Sequence, residues 1–147
     1  MNAPDVEFTP PDADYRRRTE ELFYSMPFVN HLGLKISAIG PGWLDCELTN
    51  RPELQQQNGF LHAGVIATLA DMSAGISAAT LVDKDQNTLS AEFKIALLRP
   101  GIGERFIARG RTIKRGKKLS IAESWIYGVT GTTEKLIARG YLTLAVV

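Results

Sequence analysis

Asp71 is the only formally charged side chain in residues 61–82, a run that reads LHAGVIATLADMSAGISAATLV. An ionised carboxylate buried without partners costs several kcal/mol or more, so an Asp amid so much Ala, Leu, Ile and Val has a partner or a task. A second place for chemistry precedes it. The stretch Gln55-Gln56-Gln57-Asn58-Gly59-Phe60-Leu61-His62-Ala63-Gly64 puts amides, a His and two glycines where the first N–H groups of a helix lie unsatisfied. Such an end attracts anions, and N–H groups near Ala63 and Gly64 could polarise a carbonyl oxygen as an oxyanion hole. Plainer roles stay open at this point: Asp71 could cap a neighbouring segment or pair with an Arg inside an interface, and His62 could cap or pack locally.

Geometry constrains how these groups could cooperate. At about 100° per residue, Val65, Leu69, Met72 and Ile76 fall on one stripe, the expected face toward a sheet. Asp71 lies roughly 120° away, among Gly64, Ala67, Thr68, Ala74, Gly75 and Ala78, a small-residue face that lets another backbone or a slender ligand come close. His62 and Asp71 are nine residues apart, about 13 Å along a helix axis, so they form no dyad in cis. If both act on one substrate, a neighbouring subunit brings its Asp71 to this subunit's helix start.

The remaining chain supplies a scaffold. Residues 1–11 read as disordered, and Asp12 or Asp14 could cap a short, peripheral amphipathic helix carrying Tyr15, Leu22, Phe23 and Met26 before Pro27. Residues 32–39 and 43–49 read as a hairpin around Gly40-Pro41-Gly42, with Leu44, Cys46 and Leu48 alternating with Asp45, Glu47 and Thr49. After the long apolar helix come strand-like segments at 88–98, 103–114, 118–129 and 135–147, separated by Arg99-Pro100-Gly101, Arg115-Gly116-Lys117 and Gly131-Thr132. Two strands, one apolar helix and four strands form an α+β pattern in which a curved antiparallel sheet wraps the helix. A helix that is apolar all round must be covered on every side. One sheet covers part of it, so a second subunit is expected on the rest.

With 147 residues the chain fits a single domain. Seventeen Lys and Arg against sixteen Asp and Glu give a net charge of +1, which argues against a nucleic-acid or anionic-membrane partner. The single Cys46 excludes an intramolecular disulfide and a Cys-based zinc cluster and suits a reducing compartment. The acidic, Pro-rich start lacks the features of a signal peptide, so a cytoplasmic location is expected. Residues 61–82 reach the length that spans a bilayer, but the mid-segment carboxylate argues for a buried helix instead.

The segment Gly59-Phe60-Leu61-His62-Ala63-Gly64-Val65-Ile66-Ala67-Thr68-Leu69-Ala70-Asp71 resembles the G-x-x-H-G-G-x-x-x-x-L-x-D signature of hotdog-fold acyl-CoA thioesterases of the phenylacetic-acid-degradation (PaaI-like) type. The resemblance runs from about His31-Leu32-Gly33 to the C-terminus, through Phe93-Lys94-Ile95, Leu98-Arg99-Pro100 and Gly116-Lys117-Lys118. It implies a hotdog domain over 31–147, preceded by a tail and helix over 1–30.

It further implies that Asp71 is the nucleophile or general base of thioester hydrolysis, while His62 and the amides at Ala63 and Gly64 hold the thioester carbonyl. An Asn common six residues before the His is Gln56 here, with Asn58 a weaker substitute. Ser90 resembles a Ser that contributes from the strand after the helix. Asn58, Gly59, Ala63 and Gly64 would line the substrate site. The basic cluster Arg109, Arg111, Lys114, Arg115, Lys117 and Lys118 could meet coenzyme A phosphates, and Arg99 is a further substrate-binding candidate. Arg109 and Arg111 also fit a solvated strand face. No metal or organic cofactor is implied, coenzyme A being part of the substrate, and the expected assembly is a homodimer or a dimer of dimers, a homotetramer. Two departures stand out: Ala63 replaces a Gly, and Gln56 replaces the Asn. A non-catalytic acyl-CoA or lipid-binding protein of the same fold is the alternative, with an enoyl-CoA hydratase further off. Phe60, Met72, Phe93 and Trp125 fit core and pocket wall equally.

Overall fold

Alternation of buried and half-buried side chains along 43–49, where Leu44, Cys46 and Leu48 are buried, is what one covered sheet face demands. The computed structural model describes residues 6–147. Its strands are β1 (Lys35–Gly40), β2 (Trp43–Thr49), β3 (Thr88–Leu97), β4 (Arg105–Lys114), β5 (Leu119–Thr130) and β6 (Thr133–Val146). They form one antiparallel sheet in the order β1-β2-β4-β5-β6-β3, leaving β1 and β3 at the edges. The helices are α1 (Tyr15–Ser25), α2 (Pro27–Leu32) and α3 (Ala63–Ala79), the last packed against β2 to β6. This is the expected sheet wrapped around one helix. No helix among the described residues is long and apolar enough to cross a membrane.

The face that α3 turns to the sheet is not the expected one. Gly110 of β4 lies so close that an added Cβ would stand 2.0 Å from the Ser73 carbonyl oxygen, and one on Gly140 of β6 would stand 3.0 Å from the Ala70 Cβ. Ser73 Oγ meets Ser124 Oγ at 2.6 Å, Ser77 Oγ meets Thr112 Oγ1 at 3.0 Å, and Thr80 Oγ1 accepts the Gly42 N–H at 2.8 Å. Small hydroxyl residues let helix and sheet backbones approach, and each hydroxyl buried by that approach finds a partner. Leu69, Met72 and Ile76 are buried beside this seam, with Leu22 and Met26 packed against the same core, while Val65 is half-buried.

The N-terminal segment departs from expectation in three ways. Residues 1–5 lie outside the described part, but within 6–11 the Phe8 ring lies over Gly42, so that portion is packed rather than disordered. Neither Asp12 nor Asp14 caps α1 as expected: Asp14, at the N-cap position, turns its carboxylate to Arg17, while Asp12 accepts the Asp14 N–H and pairs with Arg18. Residue 32 ends a second helix instead of starting a strand, because Pro27 opens α2 and Gly33, at φ 76°, closes it in the left-handed region. The helix α1 sits outside the sheet yet is anchored. Phe23 is 0% exposed, a burial that contributes about 1.5–3 kcal/mol, and Arg18 donates to the carbonyls of Ala79 and Val82 at the end of α3.

Cys46 faces the core of β2 and is fully buried, and burial pushes its thiol pKa well above the ordinary range. A thiol held neutral and covered is a poor nucleophile. Native protein treated with a disulfide chromophore is therefore expected to release essentially no colour, against one equivalent after unfolding; full native reactivity would contradict this packing.

Candidate active site

His62 forms the N-cap of α3, where its Nδ1 accepts the Gly64 N–H at 2.9 Å. A ring that accepts at Nδ1 carries its proton on Nε2, so His62, exposed at the surface, presents an N–H donor outward. This arrangement corrects one expectation. The Gly64 amide is consumed by the cap and leaves the Ala63 N–H as the first-turn donor without an acceptor among the described residues.

The preceding loop is closed on itself. Gln55 bridges to Leu61, the Gly59 N–H reaches the Gln56 carbonyl, and Gly59 holds φ at 79°, a turn that favours glycine. The Gln56 side-chain oxygen accepts the Asn58 N–H, which leaves the Gln56 amide N–H₂ as the donor still to be used. The loop is tied to the sheet end by the Leu61 N–H on the Gly101 carbonyl at 2.9 Å, just beyond β3.

Asp71 sits one-third to two-thirds of the way along α3 on its small-residue face, where Gly64, Ala67, Thr68 and Gly75 are also incompletely covered. It is half-buried. Its Oδ1 accepts the Ser90 hydroxyl at 2.5 Å, which fixes the carboxylate against β3. Both residues open into a cleft of about 620 Å³, bounded by Met72, Gly75 and Ile76 of α3, Leu22 of α1, Met26 just after it, and Thr88 and Leu89 of β3. Asp71 is the single charged side chain among its walls.

A bulge between Ser90 and Glu92 sets what the rest of β3 shows. Directly opposed residues share a sheet face, and Ser90 opposes buried Leu144 while Phe93 opposes buried Leu142. Ser90, Phe93, Ile95 and Leu97 therefore all face the helix side. Phe93 and Leu97 are nonetheless 50% and 55% exposed, because α3 leaves that part of β3 uncovered. Trp125, by contrast, is buried on the other sheet face, in register with Arg109 and Arg139, and Met72 lines the cleft.

The cations divide by position. Arg109 forms a bidentate pair with Glu134, which holds its pKa above the ordinary value, and Arg111 pairs with Asp45 at 2.5 Å. Both belong to the solvated strand face and are removed from the phosphate-binding set. Arg99 donates to the Leu136 carbonyl and borders a second cleft of about 460 Å³ with Lys135 and Ile102. Arg115, Lys117 and Lys118 occupy the β4–β5 turn, where the Lys118 carbonyl accepts the Val146 N–H at the opposite end of β3.

A six-stranded antiparallel sheet curved around one long helix, with an extra N-terminal helix, is the hotdog fold of thioester hydrolases. The Thioesterase superfamily pattern matches residues 58–133, which include His62, Asp71 and Ser90, and the chain belongs to that family. A thioesterase family protein from Silicibacter pomeroyi superposes with a TM-score of 0.89 at 32% identity, covering 90% of this chain and 98% of that one. A thioesterase from Haemophilus influenzae superposes at 0.79 with 25% identity, covering 97% and 92%. The medium/long-chain acyl-CoA thioesterase YigI of Escherichia coli is 27% identical over 118 residues, 70% of this chain and 76% of its own length.

Proposed function

We propose that this chain is a cytoplasmic acyl-CoA thioesterase of the PaaI-like type, working as a homodimer whose two active sites each draw on both subunits. The observation that carries the reading is Asp71: an acidic side chain, oriented by Ser90, at the edge of a cleft with no other charged side chain.

The edge strand supports the assembly. An unpaired edge with an uncovered apolar face is a template for a second copy, and a twofold axis normal to the sheet pairs identical edges antiparallel. Such pairing lays the Thr88 end of β3 in one protomer beside the Leu97 end in its partner. Ser90 and Asp71 lie toward the first end, and the Leu61–Gly101 contact ties the start of α3 to the second. The partner's Ala63 N–H and the partner's His62 then come to this protomer's Asp71, which resolves the separation of nine residues in cis.

In the reaction, Asp71 takes a proton from water as its oxygen adds to the thioester carbonyl. The Ala63 N–H, the His62 Nε2–H and the Gln56 amide receive the oxyanion. Collapse breaks the C–S bond and expels the coenzyme A thiolate, which takes the proton back from Asp71, leaving the free acid and the carboxylate ready for another turnover. No metal or organic cofactor takes part. Direct attack by Asp71, through an acyl anhydride, uses the same groups. Arg99 at one end of β3, and Arg115, Lys117 and Lys118 at the other, are the cations available for phosphates, and a dimer of dimers is compatible with this pairing. Thiol release from a panel of acyl-CoAs by purified protein of known mass tests the reading. Saturable binding without thiol release would overturn it in favour of an acyl-CoA carrier.

A further inference from the structure

We infer that the acyl tail of the substrate lies in the cleft between α3 and α1, with Gly75 as its floor and Leu22 and Met26 as its outer wall, and that these three residues set acyl-chain length. The inference rests on the thioesterase reading, since it places the reacting carbon at Asp71.

Three features point to an extended apolar occupant. The cleft has the volume of a small-molecule site, and apart from Asp71 its side chains are aliphatic, thioether or uncharged polar. Gly75 lies one turn beyond Asp71 on the same face, and its missing side chain keeps the path from the carboxylate open. A Cβ there would meet only Leu144 Cδ2, at 3.7 Å, so packing does not require the glycine, although a helix interior favours almost any other residue. The far wall comes from outside the family pattern: α1 lies before residue 58 and is fixed by Phe23 and by Arg18 on the end of α3. It is a wall of defined position, and Leu22 on the helix and Met26 at its C-cap are unbranched or singly branched side chains able to accommodate methylenes. With the tail running this way, the coenzyme leaves in the opposite direction, past the partner's helix start and the partner's Arg99.

The test compares kcat/KM across hexanoyl-, decanoyl- and palmitoyl-CoA for wild type, Gly75→Leu and Met26→Ala, each checked for oligomeric mass and unfolding midpoint. Gly75→Leu should lower the palmitoyl-to-hexanoyl ratio about 10-fold or more, the scale on which apolar pockets discriminate chain length, and Met26→Ala should raise it. If Gly75→Leu fails to assemble, Met26→Ala decides alone. Turnover with an unchanged ratio in both variants overturns this assignment and leaves the thioesterase reading standing. Absence of thiol release by wild type from every acyl-CoA overturns that reading and this one together.

Discussion

Asp71→Asn is expected to lower kcat for thiol release by about 100-fold or more while leaving oligomeric mass and unfolding midpoint close to wild type. The amide keeps an oxygen that can accept the Ser90 hydroxyl, so the local geometry survives. What disappears is the ability to take a proton or to attack a carbonyl, and a positioned base contributes about 10²–10⁴-fold. The loss should fall on kcat more than on KM, because the carboxylate is only one part of a wall that is otherwise mostly apolar, with Asn87, Thr88 and Ser90 its other polar side chains. An Asp71→Asn protein with wild-type turnover would remove the carboxylate from the chemistry and shift attention to His62 and Ala63.

If β3 is the shared edge of the proposed dimer, Phe93→Asp should yield a monomer and remove activity to a similar extent. Phe93 is half-exposed on the helix side of the edge strand, where the proposed second copy would cover it. Each buried Phe contributes about 1.5–3 kcal/mol, and a twofold interface counts it twice. The substitution also places a carboxylate where the partner's apolar surface would lie, a further cost of several kcal/mol. Sedimentation or light scattering should report half the wild-type mass, and any residual turnover should rise with protein concentration as dimers re-form. Native mass with full turnover would show that β3 is not the shared edge.

Much of this architecture is written in short-range pattern. The segments from 103 onward alternate or break at Gly-containing turns, and β4, β5 and β6 lie within a few residues of those limits. Asp71 was legible for the same reason, as one charge inside a long apolar helix. The face of α3 that meets the sheet was not legible, because a rule that ranks stripes by size selects Leu69, Met72 and Ile76. Ser73 and Ser77 are buried instead by partners on β5 and β4, Ser124 and Thr112, which no local window contains. Pairing of Arg109 with Glu134 and of Arg111 with Asp45 depends on strand order in the same way. Helix α2 had a readable signal in Pro27 and Gly33, overshadowed by the strand-like residues that follow. The competition for the Gly64 amide turned on one His rotamer, which spacing alone does not specify.

The seam of hydroxyls between α3 and the sheet governs aim. Two aliphatic surfaces can roll over one another at little cost, since dispersion has no preferred direction. Ser73 on Ser124, Ser77 on Thr112 and Thr80 on the Gly42 N–H are directional contacts, and Gly110 sets the backbone separation at which they form. A roll of about 20° would swing a group about 5.5 Å from the helix axis through about 2 Å. Misplacement by about 1 Å already costs about 100-fold in rate, so the angular tolerance of this helix is narrower than hydrophobic packing alone would enforce. Three buried hydroxyls on the hidden side of α3 thus act as a rotational stop for the carboxylate on its open side.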